Sequence, residues 1–173
     1  ELKYQRVASG SVGVNWRPST RIILSMEGFY KRYTDMPLSV LDNIPLACKG
    51  NDYGIFGNEA LVSSAQGRAY GVELLAKWQV PNRINASASL TLYQSEYCND
   101  KHSPYLPSAW DNHYILNMSC IWSLPREWDL GAKISVIGGA PYTPYDEEKS
   151  SFVEAWNASG RPLYNYDLYN TCR

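Results

Sequence analysis

The sequence predicts an all-β fold: an antiparallel up-and-down meander of about six strands, forming part of a larger transmembrane β-barrel. Three observations predict it. Apolar and small polar residues alternate with period two, short and long connections alternate along the chain, and Trp and Tyr collect at opposite strand ends.

The strands follow in order. Residues 3–16 set Ala8, Val12, Val14 and Trp16 against Ser9, Ser11 and Asn15, and residues 20–34 set Ile22, Leu24, Met26 and Tyr30 against Ser25, Glu27 and Lys31. Residues 67–79 place Tyr70, Val72, Leu74, Ala76 and Trp78 opposite Gly71, Glu73, Lys77 and Gln79. The cleanest alternation lies in 84–97, where Ile84, Ala86, Ala88, Leu90 and Leu92 oppose Asn85, Ser87, Ser89 and Thr91. In 111–124, Tyr114, Leu116, Met118, Cys120, Trp122 and Leu124 oppose His113, Asn117, Ser119 and Ser123. In 128–140, Trp128, Leu130, Ala132, Ile134 and Val136 oppose Asp129, Gly131, Lys133 and Ser135. Val7, Ile23, Phe29, Leu75, Ile115, Ile121 and Ile137 break the pattern on the polar side.

Short turns carry Pro and Arg at 17–21, 80–83 and 125–127, whereas long excursions fill 35–66, 98–110 and 141–173. A barrel in an outer membrane has tight turns at one end and long loops at the other. A sandwich has no reason to segregate them. Trp16, Trp78, Trp122 and Trp128 flank the three short turns with apolar-face parity, and Tyr4, Tyr30, Tyr70 and Tyr114 carry that parity at the other strand ends. From Tyr70 to Trp78 is roughly 26 Å along a strand, or roughly 20 Å of height at a tilt near 40°. Those dimensions fit two aromatic girdles bounding an apolar band. The rival reading is a soluble β-sandwich that binds carbohydrate or serves adhesion, with the greasy face as its core.

Composition narrows the classes. With 16 Lys+Arg against 17 Asp+Glu over 173 residues, no net field draws the chain to nucleic acid. Fourteen Tyr and 6 Trp against 3 Phe suit an interface better than a dry core, since phenol and indole each want a polar partner. Mean hydropathy is −0.38, and no run approaches the roughly 18 apolar residues of a membrane-spanning helix. Six tilted strands enclose nothing useful, so the strands belong to a larger barrel. Residues 1–173 read as one fragment of it, with no targeting segment at the opening Glu1.

Four segments then become familiar: Glu27-Gly28-Phe29-Tyr30-Lys31-Arg32-Tyr33, Gly67-Arg68-Ala69-Tyr70-Gly71-Val72-Glu73, Pro107-Ser108-Ala109-Trp110-Asp111-Asn112 and Gly138-Gly139-Ala140-Pro141-Tyr142-Thr143-Pro144-Tyr145. In this order they resemble late barrel strands of TonB-dependent outer-membrane receptors of the kind found in Bacteroidetes-type bacteria. The resemblance implies a plugged barrel of about 22 strands in the bacterial outer membrane. It would be driven by the TonB complex and would import a scarce, bulky siderophore, corrinoid or oligosaccharide. Its implied partners are outer-membrane lipid, the plug domain of the full-length protein, the TonB complex and the ligand. No catalysis and no cofactor are expected. A final strand ending in an aromatic residue, usual in such barrels, is missing from this segment.

Candidate site residues follow from these readings. Exposed loop rings offer stacking surfaces for a ligand: Tyr53, Phe56, Tyr105, Trp110, Tyr142, Tyr145 and Trp156. Glu27, Lys31, Glu73, Lys77, Asp129 and Lys133 have wet-face parity and are expected to line the lumen in cross-strand pairs. Asp146-Glu147-Glu148 reads as solvated loop charge, because an acid/base pair needs a partner across a cleft. His102, His113, Cys98 and Cys120 lack zinc-ligand spacing, and Cys120 and His113 have opposite parity, so no metal site is expected. Cys48, Cys98 and Cys172 fall in the long loops, where one disulfide of undetermined pairing fits an oxidising exterior. Asn-x-Ser sequons occur at Asn85, Asn117 and Asn157, the first two within strands.

Overall fold

The structure, a computed structural model, describes residues 2–50, 55–160 and 162–173. Its strands are β1 (Arg6–Ser19), β2 (Ile22–Ser39), β3 (Leu61–Val80), β4 (Ile84–Cys98), β5 (Leu106–Pro107), β6 (Tyr114–Leu124) and β7 (Trp128–Ile137). Short helices α1 (Glu147–Ser150) and α2 (Val153–Ser159) follow. The strands make one open antiparallel sheet in the order β1-β2-β3-β4-β6-β7, with β5 beside the end of β4. The all-β meander is therefore as the alternation predicts.

Boundaries differ in instructive places. The β2–β3 ladder continues past the predicted ends, as far as Ser39↔Leu61, through register shifts on either side of Met36. Asp35 lies within the first of them with φ 57, the left-handed conformation that lets a strand absorb an extra residue and bend. The first long loop is correspondingly shorter than 35–66. Conversely, β6 starts at Tyr114 rather than near 111, since Asp111 is held by its buried side chain and His113 has φ 65. The two-residue β5 extends β4 through Glu96↔Pro107 and Tyr97↔Leu106, a seventh strand inside what the pattern gave as loop 98–110.

The period-two reading survives in the register. Met26↔Leu74, Leu74↔Leu90, Leu90↔Leu116 and Leu116↔Val136 form one continuous apolar row. On the opposite face, at the loop end, the rows are aromatic. Tyr33↔Gly67↔Tyr97 and Phe29↔Gly71↔Tyr93 each place a glycine between two rings. The Tyr97 ring occupies the space a Cβ at Gly67 would need, so the Tyr33 and Tyr97 rings meet with centroids 5.7 Å apart. That pair is the floor on which the loops pack. The buried cluster of Ile44, Cys48 and Tyr97, with Tyr33, Met36, Ala47, Leu106 and Tyr169 around it, lies there rather than over the middle of the sheet.

The β6–β7 turn is strained: both Arg126 (φ 65) and Glu127 (φ 63) are left-handed without being glycine. Because such a conformation costs an ordinary residue roughly 1–2 kcal/mol, Glu127→Gly should stabilise the fold by about 1 kcal/mol, offset in part by the greater freedom of the unfolded chain. A higher urea midpoint, followed by Trp fluorescence, is the expected reading.

Candidate functional site

The apolar face is bare. Val12 is 81% exposed, Trp128 71% and Ile134 58%, and among the described residues no second layer covers them. Three of the four turn-end tryptophans, Trp16, Trp122 and Trp128, are more than half exposed, as is Tyr4, with Tyr30 at half. Trp78 and Tyr114 are also exposed. Their register is a staircase. Trp16 pairs with Leu24, whose row continues to Ala76; Trp78 lies one two-residue step beyond that row, Trp122 a second and Trp128 a third. At the other end Tyr30 pairs with Tyr70 at 6.4 Å between centroids, and Tyr114 sits one step lower, opposite Leu92.

The polar face carries Glu27, Lys31, Glu73, Lys77, Asp129 and Lys133, all exposed. The expected cross-strand ion pairs do not form, because the register sets like charges or neutral groups opposite one another. Glu27 faces Glu73, Lys31 faces Ser9 and Ala69, and Lys77 faces Ile23 and Ser87. Lys133 faces Ser119, and Asp129 accepts a 2.6 Å hydrogen bond from the Ser123 hydroxyl. Lys31 instead lies over the Phe29 ring, 5.6 Å from its centroid. Glu27, Glu73 and Lys31 line a shallow recess of about 230 Å³ with Ser9 and Ser11.

Above the sheet the three long connections fold into one layer. Asn170 joins all three, its side-chain amide donating to the Cys48 carbonyl at 2.7 Å and to the Pro107 carbonyl at 3.0 Å. Lys49 ties the first loop to itself through Asp42 (2.6 Å) and Glu59 (2.7 Å). Burial works to lower the pKa of the Lys49 ammonium, but the two carboxylates together outweigh it and raise it.

Asp111 is fully buried and anchors the last segment. Its carboxylate takes Arg173 Nη2 at 2.9 Å, the Ser95 amide at 3.3 Å and His113 Nδ1 at 3.5 Å. Arg173 Nη1 also donates to the Asp111 and Gly139 carbonyls. Asn112 donates to the Gly138 carbonyl at 2.9 Å, clamping the two segments 107–112 and 138–145 together. The residue pattern of segments 107–112 and 138–145 does not by itself reveal these roles. Neither the burial of Asp111 nor the approach of Asn112 to Gly138, 26 residues away, can be read from the chain alone.

The predicted ligand rings fall in separate settings. Tyr53 lies outside the described residues. Phe56 packs against Gly50, and Trp156 donates its indole N–H to the Ser150 carbonyl at 2.7 Å. Trp110 stays 73% exposed, above Tyr93, whose hydroxyl donates to the Trp110 carbonyl at 2.7 Å. Tyr142 bridges to Cys172. Tyr145 begins a run the sequence reading missed: Tyr145, Tyr164, Tyr166 and Tyr169 follow one another at 5.1, 6.4 and 6.2 Å between centroids. Tyr105 stands apart from them, against Arg68 on the apolar-parity side, 4.0 Å from the guanidinium carbon.

Asp146 caps α1 and pairs with Lys149 at 2.9 Å; the Lys149 backbone amide, then its ammonium, holds the carboxyl below the usual range. Among the described residues no cluster of metal-ligating side chains occurs. Cys48, Cys98, Cys120 and Cys172 are free thiols, so the expected loop disulfide is not formed. Burial pushes the Cys48 thiol up to about 12.

Comparison with protein-family models finds no match for this chain, and comparison with curated protein sequences likewise finds none.

Two outcomes follow from this layer. Arg173→Ala leaves Asp111 buried without its cation and should cost about 3–5 kcal/mol of stability in the loop layer, read as accelerated proteolysis of 141–173 with the sheet retained. The raised Cys48 pKa gives a stability contribution that is full below the ordinary thiol pKa near 9 and is lost between that value and about 12, as the unfolded thiol ionises first. At pH 8 a maleimide should therefore label the partly exposed Cys172 and spare Cys48.

Proposed function

We propose that this chain is a section of the wall and loop layer of a transmembrane β-barrel, belonging to a TonB-dependent receptor of a bacterial outer membrane that takes up a bulky ligand. The single observation that carries the barrel reading is the aromatic staircase. At a strand tilt near 40°, each neighbouring strand shifts the height of a residue row by about 3 Å, and each two-residue step along a strand by about 5 Å. From Trp16 to Trp128 the rings cross five strand pairings and descend three steps. Both displacements are about 15 Å, so they cancel and the four indoles share one level. The same tilt brings Tyr30, Tyr70 and Tyr114 to a second level about 20 Å away, whereas Tyr4, expected with them, precedes β1 and falls outside the paired rows; the opposite tilt would scatter the indoles over more than about 30 Å.

Between those levels lie Leu74, Leu90, Leu116 and Ile134, exposed or only partly covered, as lipid-facing residues would be. A sandwich core needs a second layer on that face. The polar face would then line the lumen. The loop layer packs on that same side, over Tyr33 and Tyr97, where it would narrow the mouth and present Trp110, Tyr142, Tyr145 and Tyr166 to an incoming ligand. The receptor family and the cargo class rest on the four-segment resemblance.

Lys substitution at Leu74, Leu90 or Ile134 tests the reading. Near the middle of a bilayer each should cost roughly 2–4 kcal/mol of folding into lipid vesicles, while Lys in place of the lumen-facing Ser89 should cost little. Recovery of this chain as a monomeric, detergent-free β protein in plain buffer would overturn the barrel.

A further inference from the structure

Just beyond the Tyr30–Tyr70 row, the outward face changes character. The next row is Ala8↔Arg32↔Arg68↔Glu96, and one step further on β1 stands Arg6 opposite Thr34. By the staircase arithmetic, Arg6, Arg32 and Arg68 occupy one level, about 5 Å above the tyrosine girdle on its loop side. Two guanidinium groups directly across a ladder repel each other, and an anion placed between them relieves that repulsion.

The carboxylates nearby answer only part of that charge. Arg68 Nε meets Glu96 at 2.5 Å, its guanidinium carbon lying 4.0 Å from the Tyr105 centroid and 5.8 Å from that of Tyr70. Arg6, largely exposed, pairs at 3.5 Å with Asp35. Glu96 is nine-tenths buried, which fixes it on Arg68. Arg32 sits between the two engaged arginines, exposed, and the ion pairs of the described residues do not include it. The patch therefore offers three arginines at one level of the sheet, more guanidinium than carboxylate charge, and rings at its lower rim.

We propose that Arg6, Arg32 and Arg68 form a clamp for the phosphate of an anionic lipid headgroup at the loop-side surface of the membrane. The inference rests on the barrel reading and adds a lipid-binding site to it. Chemistry and depth agree. Guanidinium forks bind phosphate oxygens in bidentate fashion. Headgroup phosphates lie just outside an aromatic girdle, whose rings sit at the boundary between acyl chains and headgroups. An acyl chain held below would lie on the Tyr30 and Tyr70 rings. An acidic soluble partner would not require the arginines to keep one depth relative to the girdle.

The test uses the full-length receptor, reconstituted in phosphatidylcholine bilayers with or without the diphosphorylated glycolipid lipid A. Arg32 is the residue to change, because it has no buried carboxylate to orphan. Lipid A should raise the apparent melting temperature of the native protein, and Arg32→Ala should weaken its apparent affinity for lipid A about five-fold, the effect of one basic side chain at a membrane surface. Arg32→Glu should abolish the preference, while Arg126→Ala, at the turn end, should leave it intact.

Insertion into both bilayers with equal melting temperatures, or an unchanged preference in Arg32→Glu, would overturn the clamp while leaving the barrel standing. Failure to enter either bilayer would overturn the barrel reading itself. Equal stabilisation by inorganic phosphate in detergent would overturn the lipid assignment.

Discussion

The register of the ladder from β1 to β7 is the constraint on which the other features depend. Side chains alternate with period two, so a slip of one residue at any pairing would turn that strand's apolar row to the polar face. Here every pairing from β2 to β7 keeps apolar opposite apolar at mid-height, from Met26 through Leu74, Leu90 and Leu116 to Val136. The same register steps the tryptophans down the sheet. It also sets Tyr33, Gly67 and Tyr97 in line, and the loop layer rests on that row.

The sheet and the loop layer are stabilised in different ways. The sheet buries little of its own: β1 and β7 are exposed along their whole lengths. In the proposed barrel, lipid and the neighbouring strands supply what is missing, and the free edges of β1 and β7 would close onto those strands. The loop layer, by contrast, is a small protein-like interior. Asp111 with Arg173, Lys49 with Asp42 and Glu59, and Asn170 across three loops are paired within it, the buried Ser108 hydroxyl having no hydrogen-bond partner among the described residues, and Cys48 and Ile44 supply apolar filling. Buried charges of that kind hold one arrangement, since removing either partner strands the other.

The face expected to form salt-bridged walls is different in kind from that expectation. Charge parity was readable, but pairing depends on which residues come opposite, and the register puts Glu27 against Glu73 and Lys133 against Ser119. Parity is a property of one strand; opposition belongs to two. The same distinction explains Tyr105, which reads as one more loop ring in the sequence. Its stacking on Arg68 arises because β5 folds loop 98–110 back along β4.

By itself, the sequence determined the strands, the apolar and polar faces, and the ends at which Trp and Tyr collect. Those features arise from local periodicity and from turn residues such as Pro18, Pro81 and Pro125, which act within a few positions along the chain. The tertiary structure alone decided the extension of β2 and β3 past Asp35, the strand hidden in loop 98–110, the tyrosine run from Tyr145 to Tyr169, and the linkage of Cys48, Pro107 and Asn170. Each of these joins residues far apart in the chain, through contacts that no repeating pattern encodes. The level of the arginines above the girdle is of the same kind, because a height is fixed only when the stagger between strands is known.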